Sequence, residues 1–201
     1  LAAEIMSRSG ATGRLITLID TMIRHTRGGM PLIAVIATAM FSSICGSSVA
    51  TAAAIGTVLL PELKERGYDP VVSVGLIATA GGLGILIPPS VPLVVYGMVT
   101  ETSIGKLFAA GGIVGVALTF LLGIAAYIYG ARSGVAPRPR ASWAEMKEAL
   151  LSASGVLLSP IIVLGGIYGG LFTPMEAAAV SSVYAMILAV FYGYRGKELL
   201  P

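Results

Sequence analysis

Charge is what this sequence has least of. Asp, Glu, Lys and Arg make up 11% of its 201 residues, against about a quarter in an average soluble domain. So little solvated surface excludes a soluble globular enzyme, and a hydrophobic fraction of 56% excludes a disordered chain. Cysteine is nearly absent: Cys45 alone forms no intramolecular disulfide and no cysteine-based metal site, and it reads as an inert small apolar residue. The single histidine, His25, stands between Arg24 and Arg27, a place for a solvated side chain rather than a ligand or base. No His or Asp falls inside an apolar stretch, so an intramembrane hydrolase would lack the base beside its nucleophile. The chain opens on Leu1-Ala2-Ala3-Glu4 with no initiator Met and no signal peptide, which reads as a piece of a longer polypeptide. What remains is an all-α integral membrane protein.

The charges are bunched. Gly28–Pro61, Pro70–Thr100, Leu107–Ala131, Ala149–Met175 and Ala177–Tyr194 contain no Asp, Glu, Lys, Arg or His. Soluble core helices seldom run so far without a charge. A net charge of +3 and a pI near 9.1 would otherwise invite nucleic acid as a partner. The basic residues sit instead in short loops between apolar stretches, with no aromatic-interleaved patch, so membrane lipid is the expected surrounding and nucleic acid is not.

Six units are expected along the chain. Residues 1–27 read as an amphipathic interfacial or arm helix, interrupted at Gly10 and Gly13. Residues 28–66 are too long for one span, since a continuous helix over Gly28–Pro61 would reach about 50 Å against a hydrocarbon core of about 30 Å. They are too short for two spans and a turn. Small polar residues, Ser42-Ser43-Ile44-Cys45-Gly46-Ser47-Ser48, lie in the middle. A re-entrant helical hairpin fits, with arms over Met30–Ile44 and Val49–Leu63 and a tip at Cys45–Ser48. Residues 67–101 form a discontinuous transmembrane helix, with halves over Val71–Leu83 and Val91–Val99, because Pro88, Pro89 and Pro92 follow Gly81, Gly82 and Gly84 at mid-span. Residues 102–131 form a transmembrane helix. Residues 132–150 are a cytoplasmic loop and a short amphipathic helix that Ser142 caps with Glu145 three residues on, Trp143 anchoring it at the interface. Residues 151–201 form two transmembrane helices, the second opened by Pro174 and favoured at its start by Glu176. They are joined by a tight external turn from Gly165-Gly166 to Pro174, and Glu101 and Glu176 are solvated at outer span ends.

Charge parity favours this topology. With a hairpin that turns back, Arg24, Arg27, Lys64, Arg66, Arg132, Arg138, Arg140, Lys147, Arg195 and Lys197 share one side, and Lys106 alone takes the other. A single crossing would split the positive charge between both faces, against the positive-inside rule.

A tip and a break at similar depth present half-helix ends and unwound carbonyls, which suit a cation or an anion according to polarity. Gly46, Ser47 and Ser48 offer carbonyls and hydroxyls, and Gly84 to Ser90 offers carbonyls that proline cannot satisfy. Oxygen ligands without carboxylates suit a weakly held monovalent cation such as Na⁺ rather than a divalent one. Helix packing alone would also account for the glycines and serines.

Three stretches together resemble a known family: ICGSSVATAAAIGTVLLPELKERGYDP (Ile44–Pro70), GGLGILIPPSVPLVVYG (Gly81–Gly97) followed by ETSIGKLFAAG (Glu101–Gly111), and GGIYGGLFTPMEAAAV (Gly165–Val180). They are similar to the large membrane subunit of tripartite ATP-independent periplasmic (TRAP) transporters, in the ion-transporter superfamily. The resemblance implies a secondary transporter of the bacterial or archaeal inner membrane, driven mainly by Na⁺ and moving by an elevator mechanism. Its cargo would be organic acids such as C4-dicarboxylates or sialic acid, received from a periplasmic substrate-binding protein. A small four-helix membrane subunit, separate or fused, would be a second partner. Two inverted repeats are implied, this chain holding the later part of the first. By the same resemblance, Na⁺ would be held mainly by backbone carbonyls of Cys45, Ser47, Gly84, Ile87 and Pro89, with Ser47, Ser48, Pro88, Pro89 and Ser90 lining the substrate cavity. A binding-protein-independent symporter of the same superfamily is the alternative, and a channel or structural membrane subunit the reading from another class.

Overall fold

Ten helices follow one another in the computed structural model, which describes residues 2–193. Arg195 and Lys197 lie outside them. The first two, α1 (Ala2–Arg8) and α2 (Ala11–Ile23), part at Gly10, whose φ of 72° a helix cannot continue through. Gly13, expected to interrupt as well, stays helical. One glycine costs a helix only about 1 kcal/mol, and Leu15, Ile16, Leu18 and Ile19 on the same helix are buried.

The hairpin follows as α3 (Gly29–Cys45) and α4 (Ser48–Glu65), joined by Gly46 and Ser47. These bounds differ from the expected arms by one or two residues. Helix α3 touches α2, α4, α5, α6 and α8 and so is apolar on every face. Ile33, Ala34, Val35, Ala37 and Phe41 are fully buried. The next span is in pieces, α5 (Pro70–Gly81), α6 (Leu83–Leu86) and α7 (Val91–Val99). Asp69 caps α5 by accepting from the amides of Val71 and Val72 at 2.8 and 3.0 Å, with Pro70 preset at the first position. Between α6 and α7 the Pro88–Pro89 peptide is cis.

Helix α8 (Ile104–Arg132) is the long return, and α9 (Trp143–Tyr168) and α10 (Pro174–Phe191) close the described chain. The Ser142 capping box forms as expected, and Thr173 with Glu176 makes a second. Two expectations are corrected. The amphipathic stretch after Ser142 is not a separate helix but the first turns of α9, because no Gly or Pro stands between Ser142 and Leu151. The outer turn starts later than Gly165. Gly165 and Gly166 remain in α9, and the Gly166 carbonyl accepts the amides of Leu171 and Phe172 at 2.9 and 3.1 Å. The Phe172 ring lies where a Gly166 side chain would be.

Among the described residues, four helical stretches are long and apolar enough to cross a bilayer, Pro70–Val99, Ile104–Arg132, Trp143–Tyr168 and Pro174–Phe191. Outward-facing Ile113, Val116, Phe120 and Leu121 make α8 apolar on its exposed side too, as lipid or protein contact requires. The chain is a multi-pass membrane protein.

One end of the bundle is tied by a cluster of ion pairs. Arg24, at the end of α2, donates to Glu145 of α9 at 2.7 Å and to the Pro139 carbonyl at 2.9 Å. The Arg138 amide returns a bond to the Arg24 carbonyl at 3.0 Å, and its guanidinium pairs with Asp20 and reaches Glu62 at 3.7 Å. Glu62 also takes Arg66 at 2.9 Å. The end of α2, the base of α4, the loop after α8 and the start of α9 therefore lie together. Burial raises the Asp20 carboxyl above its ordinary 3.8, and Arg138 beside it pulls it back in part. Asp20→Ala removes the close partner of the half-buried Arg138, leaving it only Glu62 at 3.7 Å, and is expected to cost about 2 kcal/mol, between the values for exposed and buried pairs. Glu4→Ala, which removes the exposed pair with Arg8, is expected to change stability by under about 0.5 kcal/mol. Thermal unfolding of the purified protein followed by Trp143 fluorescence checks both.

Candidate functional site at the hairpin tip

The hairpin tip and the helix break meet backbone to backbone. Gly46 ends α3 in the left-handed region at φ 62°, its amide donating to the Ser42 carbonyl at 2.9 Å. Its own carbonyl accepts the Val91 amide at 3.3 Å, which joins the tip to the first residue of α7. A Cβ on Gly46 would sit 2.6 Å from the Pro89 carbonyl oxygen. On the other side of the break, a Cβ on Gly84 would sit 3.0 Å from the Ser47 carbonyl carbon and the Ser48 amide nitrogen. No side chain fits at either place without moving the contact.

The break leaves oxygens without helical donors. The amides that would serve the carbonyls of Gly84, Ile85 and Pro88 belong to Pro88, Pro89 and Pro92, which have no N–H. The Ile85 oxygen is recovered by the Ser90 hydroxyl, which donates to it at 2.5 Å. Among the described residues no donor reaches the carbonyl oxygens of Gly84, Leu86, Ile87, Pro88 or Pro89. Ser47 is only partly used, its carbonyl accepting the Thr51 amide at 3.0 Å. A buried carbonyl left unpaired costs free energy, so a run of such oxygens along one break suits a ligand or water.

The expected residues are distributed as follows. Ser47, Gly84 and Pro89 belong to the tip–break contact. Cys45 lines a cavity of about 380 Å³ together with Gly46, Pro89 and Ser90. The far wall of that cavity includes Ser181 and Ser182 of α10, which the sequence reading passed over. Two adjacent serines in an Ala- and Val-rich span were the available signal. Ser48 stands at the start of α4, its carbonyl against Gly81 and its amide against Gly84. Ser90 is buried, its hydroxyl proton spent on Ile85. Pro88 and Ile87 turn their side chains to α8, Pro88 against Gly112 and Ile87 against Gly115, away from the cavity that holds Cys45. Thr51, one turn after the tip, is fully buried with an unpartnered hydroxyl and was not singled out from sequence. Among the described residues no group of three His, Cys, Asp or Glu side chains is placed to hold a metal ion.

A family model described as the tripartite ATP-independent periplasmic transporter, DctM component, matches residues 1–200. The chain belongs to the DctM family. The ectoine/5-hydroxyectoine TRAP transporter large permease protein UehC of Ruegeria pomeroyi is 42% identical over 94% of this chain and 44% of its own length. The C4-dicarboxylate large permease protein DctM of Pseudomonas aeruginosa is 41% identical over 99% of the chain and 46% of its own. The sialic acid large permease protein SiaM of Vibrio cholerae is 38% identical over 94% and 44%. The chain thus spans less than half the length of these relatives. Each is a transport permease by name.

The tip–break contact in this DctM chain is separable from ordinary glycine strain. Gly46 and Gly67 both have positive φ, but a Cβ on Gly67 meets nothing within 4 Å. Gly67→Ala is expected to cost only the backbone strain, about 1–2 kcal/mol. Gly46→Ala is expected to cost clearly more, because it also pushes the tip off Pro89. Paired melting curves of the two purified variants check this.

Proposed function

We propose that this chain is part of the large permease subunit of a TRAP transporter that couples uptake of small organic anions to Na⁺ across the bacterial or archaeal inner membrane. The observation that carries the reading is the tip–break contact: Gly84 against Ser47 and the Pro89 carbonyl against Gly46, with donor-free carbonyls at Gly84, Ile87 and Pro89 along the break and no carboxylate in the contact. That donor set fits a monovalent cation held by neutral oxygens, as at the broken helices of secondary transporters. The residues that would hold Na⁺ are Cys45, Ser47, Gly84, Ile87 and Pro89, through backbone oxygens. Bound there, the ion would supply a positive charge that these residues themselves lack.

The hairpin is re-entrant in this reading. Its support is the ion-pair cluster, where Arg24 before α3 and Arg66 after α4 meet at one end of the bundle. Two arms that return to the same end keep the basic residues together, as the positive-inside rule requires. The tip can lie at membrane depth because its open backbone is buried against the break.

The cargo is a small organic acid: the C4-dicarboxylate, sialic acid and ectoine named for three relatives are carboxylates, and the isethionate named for the DctMQ permease of Oleidesulfovibrio alaskensis is a sulfonate. Pro89 and Ser90, with Cys45 and Gly46 of the tip, form one wall of the cargo's cavity, and Ser47 and Ser48 adjoin it in the tip; the Pro88 side chain, expected there too, faces α8 instead. A periplasmic substrate-binding protein delivers the cargo, and a small membrane subunit completes the assembly. The tip and break, packed without intervening side chains, move as one body in an elevator step.

Ser47→Leu and Gly84→Leu are expected to abolish Na⁺-dependent uptake of a radiolabelled C4-dicarboxylate, sialic acid or ectoine in cells carrying the complete transporter, with membrane levels unchanged. Gly165→Leu, where a Cβ meets nothing within 4 Å, is expected to retain uptake. Normal uptake by both tip–break variants would remove the site assignment.

A further inference from the structure

Arg14 is the one half-buried arginine or lysine among the described residues that has no carboxylate partner there. Arg24, Arg66 and Arg138 are also half-buried, and each pairs with an acid. The other cations without one, such as Arg27, Arg132 and Arg140, are exposed. Arg14 Nη1 instead donates to the Ser152 hydroxyl oxygen at 2.6 Å, and its guanidinium carbon lies 4.0 Å from the centre of the Tyr192 ring. A hydroxyl and a π face hold a cation in place but do not neutralise it.

The depth of this group sharpens the point. Arg24 meets Glu145 and Arg14 meets Ser152, so α2 runs antiparallel to α9, and seven residues of α9 carry Arg14 about 10 Å below the ion-pair cluster. Ser152 lies one turn past Glu148, the last charged residue of α9. That is where the charge-free part of α9 begins, the level at which an arginine reaches the headgroups and is drawn to anionic lipid. Beside Arg14 opens a cavity of about 330 Å³ lined by Ser9, Gly13, Thr17 and Ser152. The hydroxyl protons of Ser9 and Thr17 are spent on the Met6 and Gly13 carbonyls at 3.0 and 2.9 Å. Ser152 accepts from Arg14 and keeps its own proton. The remaining guanidinium N–H groups and that proton are donors that an acceptor-rich anion matches, and the first turn of α2, uncapped by any side chain, faces the same space.

We infer that Arg14 and Ser152 form a site for a phosphate group, supplied by an anionic phospholipid of the leaflet at the end where the ion-pair cluster lies. The lipid neutralises Arg14 and fastens α2 to α9. This holds whether or not the chain transports organic anions.

Native mass spectrometry of the intact purified permease, incubated with phosphatidylglycerol or with phosphatidylcholine, tests it. Two variants remove the site by opposite means. Arg14→Gln deletes the charge, and Gly13→Leu keeps the charge but fills the cavity, where a Cβ meets nothing within 4 Å. Each is expected to weaken retention of one phosphatidylglycerol by about fivefold or more, with Arg27→Gln unchanged. Equal retention in all variants, or no preference over phosphatidylcholine, would overturn the site. Displacement of the lipid by excess inorganic phosphate would overturn the lipid as its source and leave a soluble phosphate in its place.

Discussion

Within a bilayer every backbone polar group must find a partner inside the protein or in a watery cavity, and the rest of this fold follows from how one pair of segments meets that demand. The turn at Gly46–Ser47 and the break at Gly84–Ser90 both abandon helical hydrogen bonding. Each can do so because the other covers it. Val91 donates to Gly46, Ser90 recovers the Ile85 oxygen, and Gly46 and Gly84 let two backbones touch where a side chain would hold them apart. Helix α3 is buried over most of its surface because it carries one half of this contact into the middle of the bundle, and α8 supports the other half, with Gly111 and Gly115 taking the backbone of Leu86 and the side chain of Ile87. The oxygens still without a donor after these accommodations include those of Gly84, Ile87 and Pro89, and that residue of polarity in an apolar setting is what a transport site needs.

The opposite end of the molecule is organised by charge instead. Asp20, Arg24, Glu62, Arg66, Arg138 and Glu145 come from four segments far apart in sequence, and their pairing gathers the base of the hairpin, the end of α2 and the start of α9. A charged clamp at the water-facing end and a glycine-spaced contact at the apolar end divide the work by dielectric. Ion pairs there need not be fully desolvated, whereas close backbone packing needs no water at all.

Much of this was legible in the sequence. Proline and glycine determine backbone geometry locally, so the breaks at Gly46 and Pro88–Pro89 and the helix starts at Ser142 and Pro174 were readable within a residue or two. Long charge-free runs gave the spans, and charge bunching predicted that Arg24 and Arg66 would lie together. What sequence did not reveal depends on partners distant in the chain. Gly13 was expected to break a helix because the burial of Leu15, Ile16, Leu18 and Ile19 that holds α2 together was invisible. Ser181 and Ser182 looked like span residues until α10 was placed beside the tip, and Pro88 looked like cavity lining until its side chain was seen against Gly112. The lone position of Arg14 is of the same kind, since only the folded chain shows which cations have found an acid.

The central claim is that Na⁺ sits where the hairpin tip meets the helix break. Its most direct test is the thermal stability of the intact purified protein in Na⁺ against K⁺ at equal ionic strength, for the native chain and for Gly84→Leu. A ligand at tenfold its Kd stabilises the native state by about 1.4 kcal/mol. The account predicts a Na⁺-specific rise in the native protein that Gly84→Leu loses. Equal stability in the two salts, or a Na⁺ rise that survives Gly84→Leu, would contradict it.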